Sequence, residues 1–407
     1  MDILPTMLPT KLSARFLISG MFVLFRKDAE MEVHLRRYFD FHEAPEARES
    51  GVSPSTHGVT PVWGFGTVVA STLLAIHSGE RVYGYFAPTR SLVLSVLPSD
   101  VNRYAFVVSR PHLPEGITLP YPNFALSFTV LDRKPYNQIT RCSTDPLYDP
   151  SPSVEDITML YRPLFWTSFW CEDWIHTSQY RGGASRILIS SASAKTAFCL
   201  AYLVRKRSAT LDNGNPIRQV VGLTSRKNFE FTKNLGLYDH VLEYDGFENA
   251  TVMNEPSQKW IYIDLAGNEG LNSRVHNHFS DAELDLAGSV ALGLTNLSPT
   301  SKSDSAAKWT TNDFSSQSAP STLEQFFMPE WFARRRKQLS VEEITRLQKH
   351  AWSGLMQDCK TWGVAIRRVY GAQNVKKAYE EVVRSGIPPD QGLIWSMWEE
   401  EVVNAHL

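Results

Sequence analysis

The residues after the first buried strand predicted in the C-terminal half have side chains that could hold a phosphate. The strand covers residues 186–190, and the chain then reads Ser-Ala-Ser-Ala-Lys-Thr-Ala from Ser191 to Ala197. A dinucleotide site usually has glycines here, because the backbone must turn tightly and approach the pyrophosphate. The positions spaced by three are Ser191, Ala194 and Ala197, which are small but not glycine. The turn therefore predicts either a nucleotide site with little room or a related fold that has lost its ligand.

Polar side chains in this turn offer a substitute for the missing glycines. Ser191 and Ser193 can donate hydroxyl hydrogen bonds to phosphate, and Lys195 adds positive charge at the start of the helix that should follow. Small side chains such as Ala194 still permit close packing of helix on strand. We therefore predict a pyrophosphate site at Ser191, Ser193, Ala194, Lys195 and Thr196.

The end of the second predicted strand, residues 219–224, indicates which nucleotide would bind. An acidic residue there would accept hydrogen bonds from a ribose 2′-hydroxyl, but the chain reads Thr224, Ser225, Arg226, Lys227. A hydroxyl and two cations suit a 2′-phosphate instead. An ordinary basic loop is the alternative interpretation. We predict NADP(H) as the cofactor, with Thr224, Ser225 and Arg226 among its contacts.

Two contrasting patterns along the 407 residues predict two structural regions. Up to about residue 150, short apolar runs broken by Pro and Gly indicate a β-rich, barrel-like region. From residue 154, helical periods alternate with short buried strands, which is typical of βαβ units in a parallel sheet. The predicted strands are 62–71, 81–85 and 91–96 in the first region, and 186–190, 219–224, 241–244, 260–265 and 289–295 in the second.

Bulk properties favour a protein of the cell interior. The net charge of −2 gives no pull toward nucleic acid or an anionic membrane, and the four cysteines are too widely separated for a disulfide framework or a zinc site. The apolar run 16–25 is too short to cross a bilayer and indicates a core strand. We expect a cytoplasmic protein without a nucleic-acid or membrane partner.

Several sequence blocks resemble the medium-chain dehydrogenase/reductase superfamily, in particular its zinc-free quinone- and enoyl-reductase branch. They are residues 61–68, 79–84, 235–245 and 263–267. More narrowly, Tyr136-Asn137, residues 162–169 and the Ser-Ala-Ser-x-Lys-Thr-Ala turn resemble a subfamily that carries this turn in place of the glycine motif.

This resemblance implies an α/β fold with a GroES-like β-barrel catalytic domain and an inserted Rossmann domain. The barrel would comprise residues 1–150 and 325–407, and the NADP-binding Rossmann domain residues 151–324. The sequence has neither the catalytic Gly-His-Glu pattern nor the four-cysteine lobe of zinc-dependent members, which implies no metal. Relatives are often dimers through an edge strand of the Rossmann sheet, for which 289–295 is the candidate.

Zinc-free members of the superfamily reduce activated double bonds by hydride transfer, and no single catalytic residue is obligatory. Tyr136 could donate a hydrogen bond to an enolate oxygen or be a packed tyrosine, and Arg162 could bind an anionic substrate or form an inter-domain ion pair. Strand-end residues could contact the nicotinamide through their backbone. The candidate catalytic residues are Tyr136, Asn137, Arg162 and Thr167, and the candidate nicotinamide contacts are Leu294 and Thr295.

The resulting prediction is an NADPH-dependent reductase of an enone, quinone or polyketide-like small molecule. The loss of every fingerprint glycine keeps two alternatives open: a non-redox lyase, isomerase or cyclase on the same fold, and a non-catalytic ligand-binding protein. The substrate is expected to be apolar or aromatic. An aromatic cluster at Phe326, Phe327, Trp331 and Phe332 either lines its pocket or packs at the domain junction.

Overall fold

The computed structural model describes residues 10–18, 25–26, 42–43, 53, 55, 57–59, 61–98, 105–108, 117–118, 127–128, 137–209, 216–292 and 323–399. These residues form two compact units. The first comprises Met1–Leu160, Ala365–Ile387 and Gln391–Leu407, and the second comprises Tyr161–Val364 and Pro388–Asp390. In this division residues 325–364 group with the second unit, whereas the sequence-based boundaries put them in the first.

The strands of the described chain are named in chain order. They are β1 (Thr10–Ile18), β2 (Phe25–Arg26), β3 (His42–Glu43), β4 (His57–Val59), β5 (Val62–Ala70), β6 (Arg81–Phe86), β7 (Ser91–Leu94), β8 (Val96–Pro98), β9 (Ala105–Val108), β10 (Ile117–Thr118), β11 (Ser127–Phe128), β12 (Gln138–Arg141), β13 (Arg186–Ile189), β14 (Gln219–Thr224), β15 (His240–Glu243), β16 (Lys259–Asp264), β17 (Asp285–Ala291), β18 (Leu323–Gln325), β19 (Ala365–Tyr370) and β20 (Gln391–Ser396).

The helices are named in the same way. They are α1 (Pro152–Thr177), α2 (Lys195–Ala209), α3 (Phe229–Asn234), α4 (Glu269–Asp281), α5 (Met328–Arg335), α6 (Val341–Asp358) and α7 (Ala372–Ser385). Short 3-10 turns cover Cys142–Thr144, Arg226–Asn228, Phe247–Asn249, Thr251–Asn254 and Cys359–Thr361.

The first unit contains a mainly antiparallel sheet with the strand order β19-β20-β1-β5-β6-β12-β9-β8, and β7 pairs with β1. Strand β20, from the C-terminal segment, pairs with β1 from the N-terminal segment, so both ends of the chain build this sheet. Its core includes Val62, Val82 and Trp395, against which Val382 of α7 packs. The expected β-rich unit completed by a returning C-terminal segment is therefore present.

The second unit contains a six-stranded parallel sheet with the strand order β15-β14-β13-β16-β17-β18. Counted from β13, this is the order 3-2-1-4-5-6 of a doubly wound dinucleotide-binding sheet. All four residues of β13 are buried, as expected for a central strand covered on both faces. The predicted α/β fold class, with a Rossmann sheet beside a β-rich unit, is confirmed.

The predicted edge strand at 289–295 is not an edge of this sheet. The observed strand β17 ends at Ala291 and pairs in parallel with β18 on the side away from β16. The prediction was wrong because three residues beyond the long polar segment, Leu323–Gln325, add one more strand. Residues 293–322 lie outside the described chain.

A left-handed turn, Gln179–Gly183, leads from α1 into β13. Its five residues all have positive φ, including 50° at Tyr180 and 53° at Arg181, a conformation that L-residues rarely adopt in succession. The Tyr180 hydroxyl donates to buried Glu172 at 2.7 Å, and the Arg181 guanidinium lies 4.3 Å from the ring centroid of Trp174. These side-chain contacts hold the strained turn, which sets where β13 begins.

Candidate functional site

The parallel sheet brings the predicted phosphate turn next to the end of the second strand. Strands β13 and β14 are neighbours in register, with Ile189 opposite Gly222, so both chains leave the sheet at the same edge. In open α/β sheets, ligands bind outside the carboxyl ends of the strands where the strand order reverses. Strand β13 is that point here, and the predicted cofactor residues from Ser191 to Thr196 follow it directly.

The turn bends at Ser191, which adopts the left-handed conformation without being glycine. Its φ is +52°, and its carbonyl accepts a hydrogen bond from the Ala194 amide at 2.8 Å. A serine in this region costs about 1 kcal/mol more than a glycine would. Burial raises the pKa of Tyr244, and hydrogen bonds from the side chain and backbone of Ser191 oppose that rise. Ser191 thus makes the tight bend that a glycine usually makes, and it hydrogen-bonds Tyr244.

Gly222 on the neighbouring strand β14 provides the space that a glycine in the turn would otherwise provide. A Cβ placed on Gly222 would lie 2.8 Å from the Cβ of Ala192 and 2.9 Å from Cδ1 of Tyr238. Ala192 is fully buried, its amide donates to the Leu223 carbonyl at 2.9 Å, and its carbonyl accepts from the Tyr238 hydroxyl at 2.8 Å. The turn therefore rests directly on β14, because Gly222 has no side chain.

A buried network below the turn was not predicted from the sequence. The Ser190 hydroxyl donates to Asp264 Oδ1 at 2.8 Å and accepts from the amides of Leu265 and Ala266. Asn272 on α4 donates to the other carboxylate oxygen of Asp264 at 2.8 Å. Asp264 and Ser190 are fully buried, so they fix the turn against the β16–α4 loop. An acidic residue ending a buried strand was the only sequence signal for it.

The hydroxyl groups predicted to bind phosphate have different hydrogen-bond partners in the structure. Ser193 Oγ accepts from the Asn228 side-chain amide at 3.1 Å, so its own proton remains available to donate. Thr224 is fully buried, and its hydroxyl oxygen lies 3.5 Å from that of Thr232. Thr224 stays a predicted cofactor contact, and its side chain lies against Thr232 of α3. The Thr196 carbonyl accepts from the Ser168 hydroxyl at 2.8 Å.

The start of α2 follows the turn directly. The first helical hydrogen bond of α2 runs from the Phe198 amide to the Ala194 carbonyl. The amides of Lys195, Thr196 and Ala197 therefore have no acceptor within the helix. Such amides, together with the positive end of the helix dipole, favour an anion.

Lys195 begins this helix, but its side chain contacts a distant segment. Its Nζ donates to the Pro389 carbonyl at 3.1 Å. Burial lowers the pKa of Lys195 to about 8, an effect that Cys199 and Asp390 partly offset. The predicted phosphate-binding cation therefore begins α2 and hydrogen-bonds the Pro389 carbonyl.

The end of β14 presents the predicted cations to solvent. Ser225 is half-buried, whereas Arg226 and Lys227 are exposed at the first two positions of a 3-10 turn. Within the described chain, neither cation has a hydrogen bond or an ion pair. Two exposed cations thus stand at the strand end next to the Ser191 turn.

The predicted catalytic residues fall in both units or outside the described residues. Asn137 is buried in the first unit, and Arg162 is half-buried in the second. The Thr167 hydroxyl donates to the Pro163 carbonyl one turn earlier in α1 at 3.1 Å, so that proton is engaged within the helix. Tyr136, Leu294 and Thr295 lie outside the described residues.

The aromatic cluster near residue 330 is largely packed within the second unit. Phe326 and Trp331 are buried, and Phe327 and Phe332 are half-buried. The Trp331 indole donates to Asp173 at 2.8 Å, which ties α5 to α1. Packing therefore accounts for the two buried rings.

The described residues also bear on metal binding and on membrane insertion. They contain no group of three His, Cys, Asp or Glu side chains arranged to hold a metal ion. None of their helices is both long enough and apolar enough to cross a membrane.

The doubly wound sheet with a polar turn after its first strand defines a Rossmann-type protein. The chain belongs to the family of proteins of unknown function DUF2855, whose model matches residues 30–388. No curated protein sequence matches it.

Several solved structures share a distant likeness in fold. The YhdH oxidoreductase from Salmonella enterica, in complex with NADP, is 14% identical, with coverage of 92% of this chain and 99% of that one and a TM-score of 0.42. CurA from Vibrio vulnificus, in complex with NADPH, is 10% identical, with coverage of 98% and 94% and a TM-score of 0.45. An alcohol dehydrogenase superfamily protein from Novosphingobium aromaticivorans is 11% identical, with coverage of 97% and 93% and a TM-score of 0.45. These likenesses are too distant to transfer a ligand, so the chain's own residues must support any assignment.

Proposed function

We propose that the chain binds NADP(H) at the carboxyl edge of the parallel sheet and is a metal-independent reductase of a small molecule. The observation that carries the proposal is the pairing of two features at that edge. One is the left-handed bend at Ser191 before α2, and the other is the exposed Arg226–Lys227 pair after β14. Pyrophosphate and 2′-phosphate are the anions that these two features would bind.

The residues present fit such a cofactor. The turn lies close to β14 because Gly222 has no side chain, and the amides that begin α2 have no helical acceptor. Ser193 retains a hydroxyl proton to donate, and Arg226 has no competing partner in the described chain. Ser193, the α2 amides and Lys195 would hold the pyrophosphate, and Ser225 and Arg226 the 2′-phosphate.

The proposed reaction is reduction of an activated double bond or carbonyl, as in an enone, quinone or polyketide-like substrate. Bound NADPH would supply the hydride. The protein would orient the substrate and place hydrogen-bond donors near its carbonyl oxygen. Tyr136, Asn137 and Arg162 remain the proposed donors.

Nucleotide binding is tested by titrating NADPH, NADP+ and NADH while following the fluorescence of the tryptophans. We expect selective binding of the phosphorylated nucleotides. Arg226→Glu should weaken NADPH about 10- to 100-fold, because a charge-assisted hydrogen bond becomes a repulsion. NADH binding should change little, since it has no 2′-phosphate.

The matched control is Arg346→Glu, the same charge reversal at an exposed position on α6. It should leave both affinities unchanged. Equal weakening of NADPH and NADH by Arg226→Glu would refute the 2′-phosphate assignment, and no binding at millimolar nucleotide would refute the proposed cofactor.

Turnover of a substrate needs an assay separate from nucleotide binding. NADPH consumption with a panel of enones and quinones would establish redox chemistry. Binding without consumption across that panel would favour the non-redox or ligand-binding alternatives.

A further inference from the structure

Asn228 connects the two parts of the proposed nucleotide site. Its side-chain amide donates to Ser193 Oγ at 3.1 Å, although the two residues are 35 positions apart in the chain. Ser193 belongs to the turn that would hold the pyrophosphate. Asn228 is the last residue of the 3-10 turn that begins with Arg226, the residue proposed for the 2′-phosphate. One hydrogen bond therefore joins the two turns that carry the phosphate subsites.

The Asn228 side chain does not make the contact that is usual at its position. Asn228 directly precedes α3, where an asparagine commonly accepts a hydrogen bond from an amide of the first helical turn. Here its side chain makes no such cap, and its φ of −103° and ψ of 3° differ from the extended conformation of most capping residues. Capping of α3 therefore does not account for this side chain, whereas the contact with Ser193 does.

The backbone of Asn228 is held on both sides. Its amide donates to the Ser225 carbonyl at 2.9 Å, and its carbonyl accepts from the Thr232 hydroxyl at 2.7 Å. Thr232 is itself fully buried. The side-chain amide therefore starts from a fixed backbone, so directing it at Ser193 costs little further conformational entropy.

The hydrogen bond from Asn228 determines what the Ser193 hydroxyl can still do. A serine hydroxyl can accept two hydrogen bonds but has one proton to donate. The Asn228 amide uses an acceptor position, which restrains the Ser193 side chain and leaves its proton for another partner. A phosphate oxygen is a strong partner, because charge-assisted hydrogen bonds are about twice as strong as neutral ones.

We propose that Asn228 is a positioning residue that holds the Ser193 hydroxyl ready for a pyrophosphate oxygen and fixes the Arg226 turn beside it. The two phosphate groups of NADP(H) then bind to one preorganised unit. The inference rests on the proposed function, since both phosphates belong to that nucleotide. It adds a residue that acts through Ser193 and Arg226 without contacting the nucleotide itself.

The first test is a double-mutant cycle on Asn228 and Ser193. Its probe is ADP, which has a pyrophosphate and no 2′-phosphate, and the dissociation constant is measured by competition with NADPH. Ser193→Ala should weaken ADP about 10-fold, the loss expected for one hydrogen bond to a charged group, and Asn228→Ala about 3- to 10-fold. With Ser193 already replaced, Asn228→Ala should have no further effect, because it acts through the missing hydroxyl.

The second test compares ADP with NADPH, which has both phosphate groups. Asn228→Ala should weaken NADPH by a larger factor than ADP, about 10- to 30-fold, because the two subsites no longer act as one unit. Asn234→Ala is the matched control at the exposed last residue of α3 and should leave both affinities unchanged. The melting temperature of Asn228→Ala should lie within ~2 °C of the wild type, since no cap is lost.

Asn228→Asp tests the direction of the hydrogen bond. Aspartate has nearly the same shape but no donor, so it would accept from Ser193 and engage the proton that the phosphate needs. This variant should weaken ADP at least as much as Ser193→Ala does. Wild-type affinity in Asn228→Asp would overturn the proposed role of the asparagine amide.

The outcomes separate this inference from the proposed function. Wild-type ADP affinity in Asn228→Ala, additive losses in the double variant, or equal losses for NADPH and ADP would overturn the positioning role and leave the nucleotide site standing. Failure of the wild-type chain to bind NADPH would overturn both. Should Asn228→Ala not fold, the nearly isosteric Asn228→Asp still decides the matter.

Discussion

The contact between the turn and β14 makes Gly222→Ala the most direct test of how the site is built. Gly222 lacks the positive φ that would demand glycine, so alanine suits its backbone and should by itself stabilise the strand by ~0.5–1 kcal/mol. The added Cβ, however, would lie 2.8 Å from Ala192 Cβ and 2.9 Å from Tyr238 Cδ1. Carbon atoms pack best at about 3.5–4.0 Å, so each contact overlaps by close to an ångström.

Neither neighbour can move freely. Ala192 Cβ is attached to the backbone of the turn, and the Tyr238 ring is anchored through its hydroxyl to the Ala192 carbonyl at 2.8 Å. Overpacking of this kind costs about 1–3 kcal/mol, and we expect the upper end. For a unit of this size the melting temperature should drop by roughly 5–10 °C. Displacement of the turn should also abolish NADPH binding.

Adding Ala192→Gly to Gly222→Ala should partly reverse the destabilisation, because it removes one of the two clashing atoms. In the double variant the Tyr238 contact remains, so stability should recover in part, with a favourable coupling of about 1–1.5 kcal/mol. Thermal unfolding followed by near-ultraviolet circular dichroism measures all four proteins of the cycle.

The control is Gly270→Ala on α4, where the built Cβ would meet only Asn268 Oδ1, at 3.4 Å. That variant should be as stable as the wild type or slightly more so. Additive effects in the double variant, or a Gly222→Ala protein as stable as the wild type, would refute the account of the turn resting on β14.

Three further predictions concern the same unit. Ser191→Gly and Ser191→Ala both remove the hydroxyl, but only glycine relieves the strain of the positive φ. The glycine variant should therefore melt about 2–4 °C higher than the alanine variant. The opposite order of melting temperatures would contradict a left-handed bend at Ser191. Asp264→Ala leaves the Ser190 hydroxyl and the Asn272 amide without their acceptor, so it should lower the free energy of unfolding by about 3–5 kcal/mol in urea. Ser190→Ala should lower it by only ~1–2 kcal/mol. Equal losses in the two variants would argue against Asp264 as the centre of the network. The pKa of Lys195 is lowered to about 8 in the folded chain from 10.5, so the unfolded chain binds more protons between these values and the unfolding free energy should rise with pH across them. That rise, at most about 3 kcal/mol, should be missing from urea unfolding of Lys195→Met, and an identical pH profile for the variant would show that Lys195 is not desolvated.

Local sequence patterns predicted the central features of the second unit. Buried apolar strands separated by helical periods indicate a parallel sheet, and the positions of Ser191 and Arg226 after two successive strands place them at one edge. The start of α6 is likewise fixed by neighbouring residues, since the Ser340 side chain accepts from the Glu343 amide at 3.1 Å. These features depend on residues close together in the chain.

Features that depend on distant residues could not be predicted. Ser190 and Asp264 are 74 residues apart, and Lys195 and Pro389 are 194 apart, so no local spacing indicates that they meet. The burial of Thr224 depends on α3 covering the strand end, which a strand pattern alone does not reveal. The candidate donor Tyr136 and the candidate nicotinamide contacts Leu294 and Thr295 remain predictions, because they lie outside the described residues.

The direct contact of Ala192 with Gly222 has a consequence for recognising such sites in other sequences. Close packing of turn and strand limits the combined side-chain volume at the two positions, and not the volume in the turn alone. A small residue in the strand can therefore compensate for a larger one in the turn. Homologous chains should then show compensating exchanges, with side-chain volume at one of the two positions balanced by glycine at the other. A search for nucleotide-binding turns that scores the second strand together with the loop would detect chains that a glycine pattern passes over.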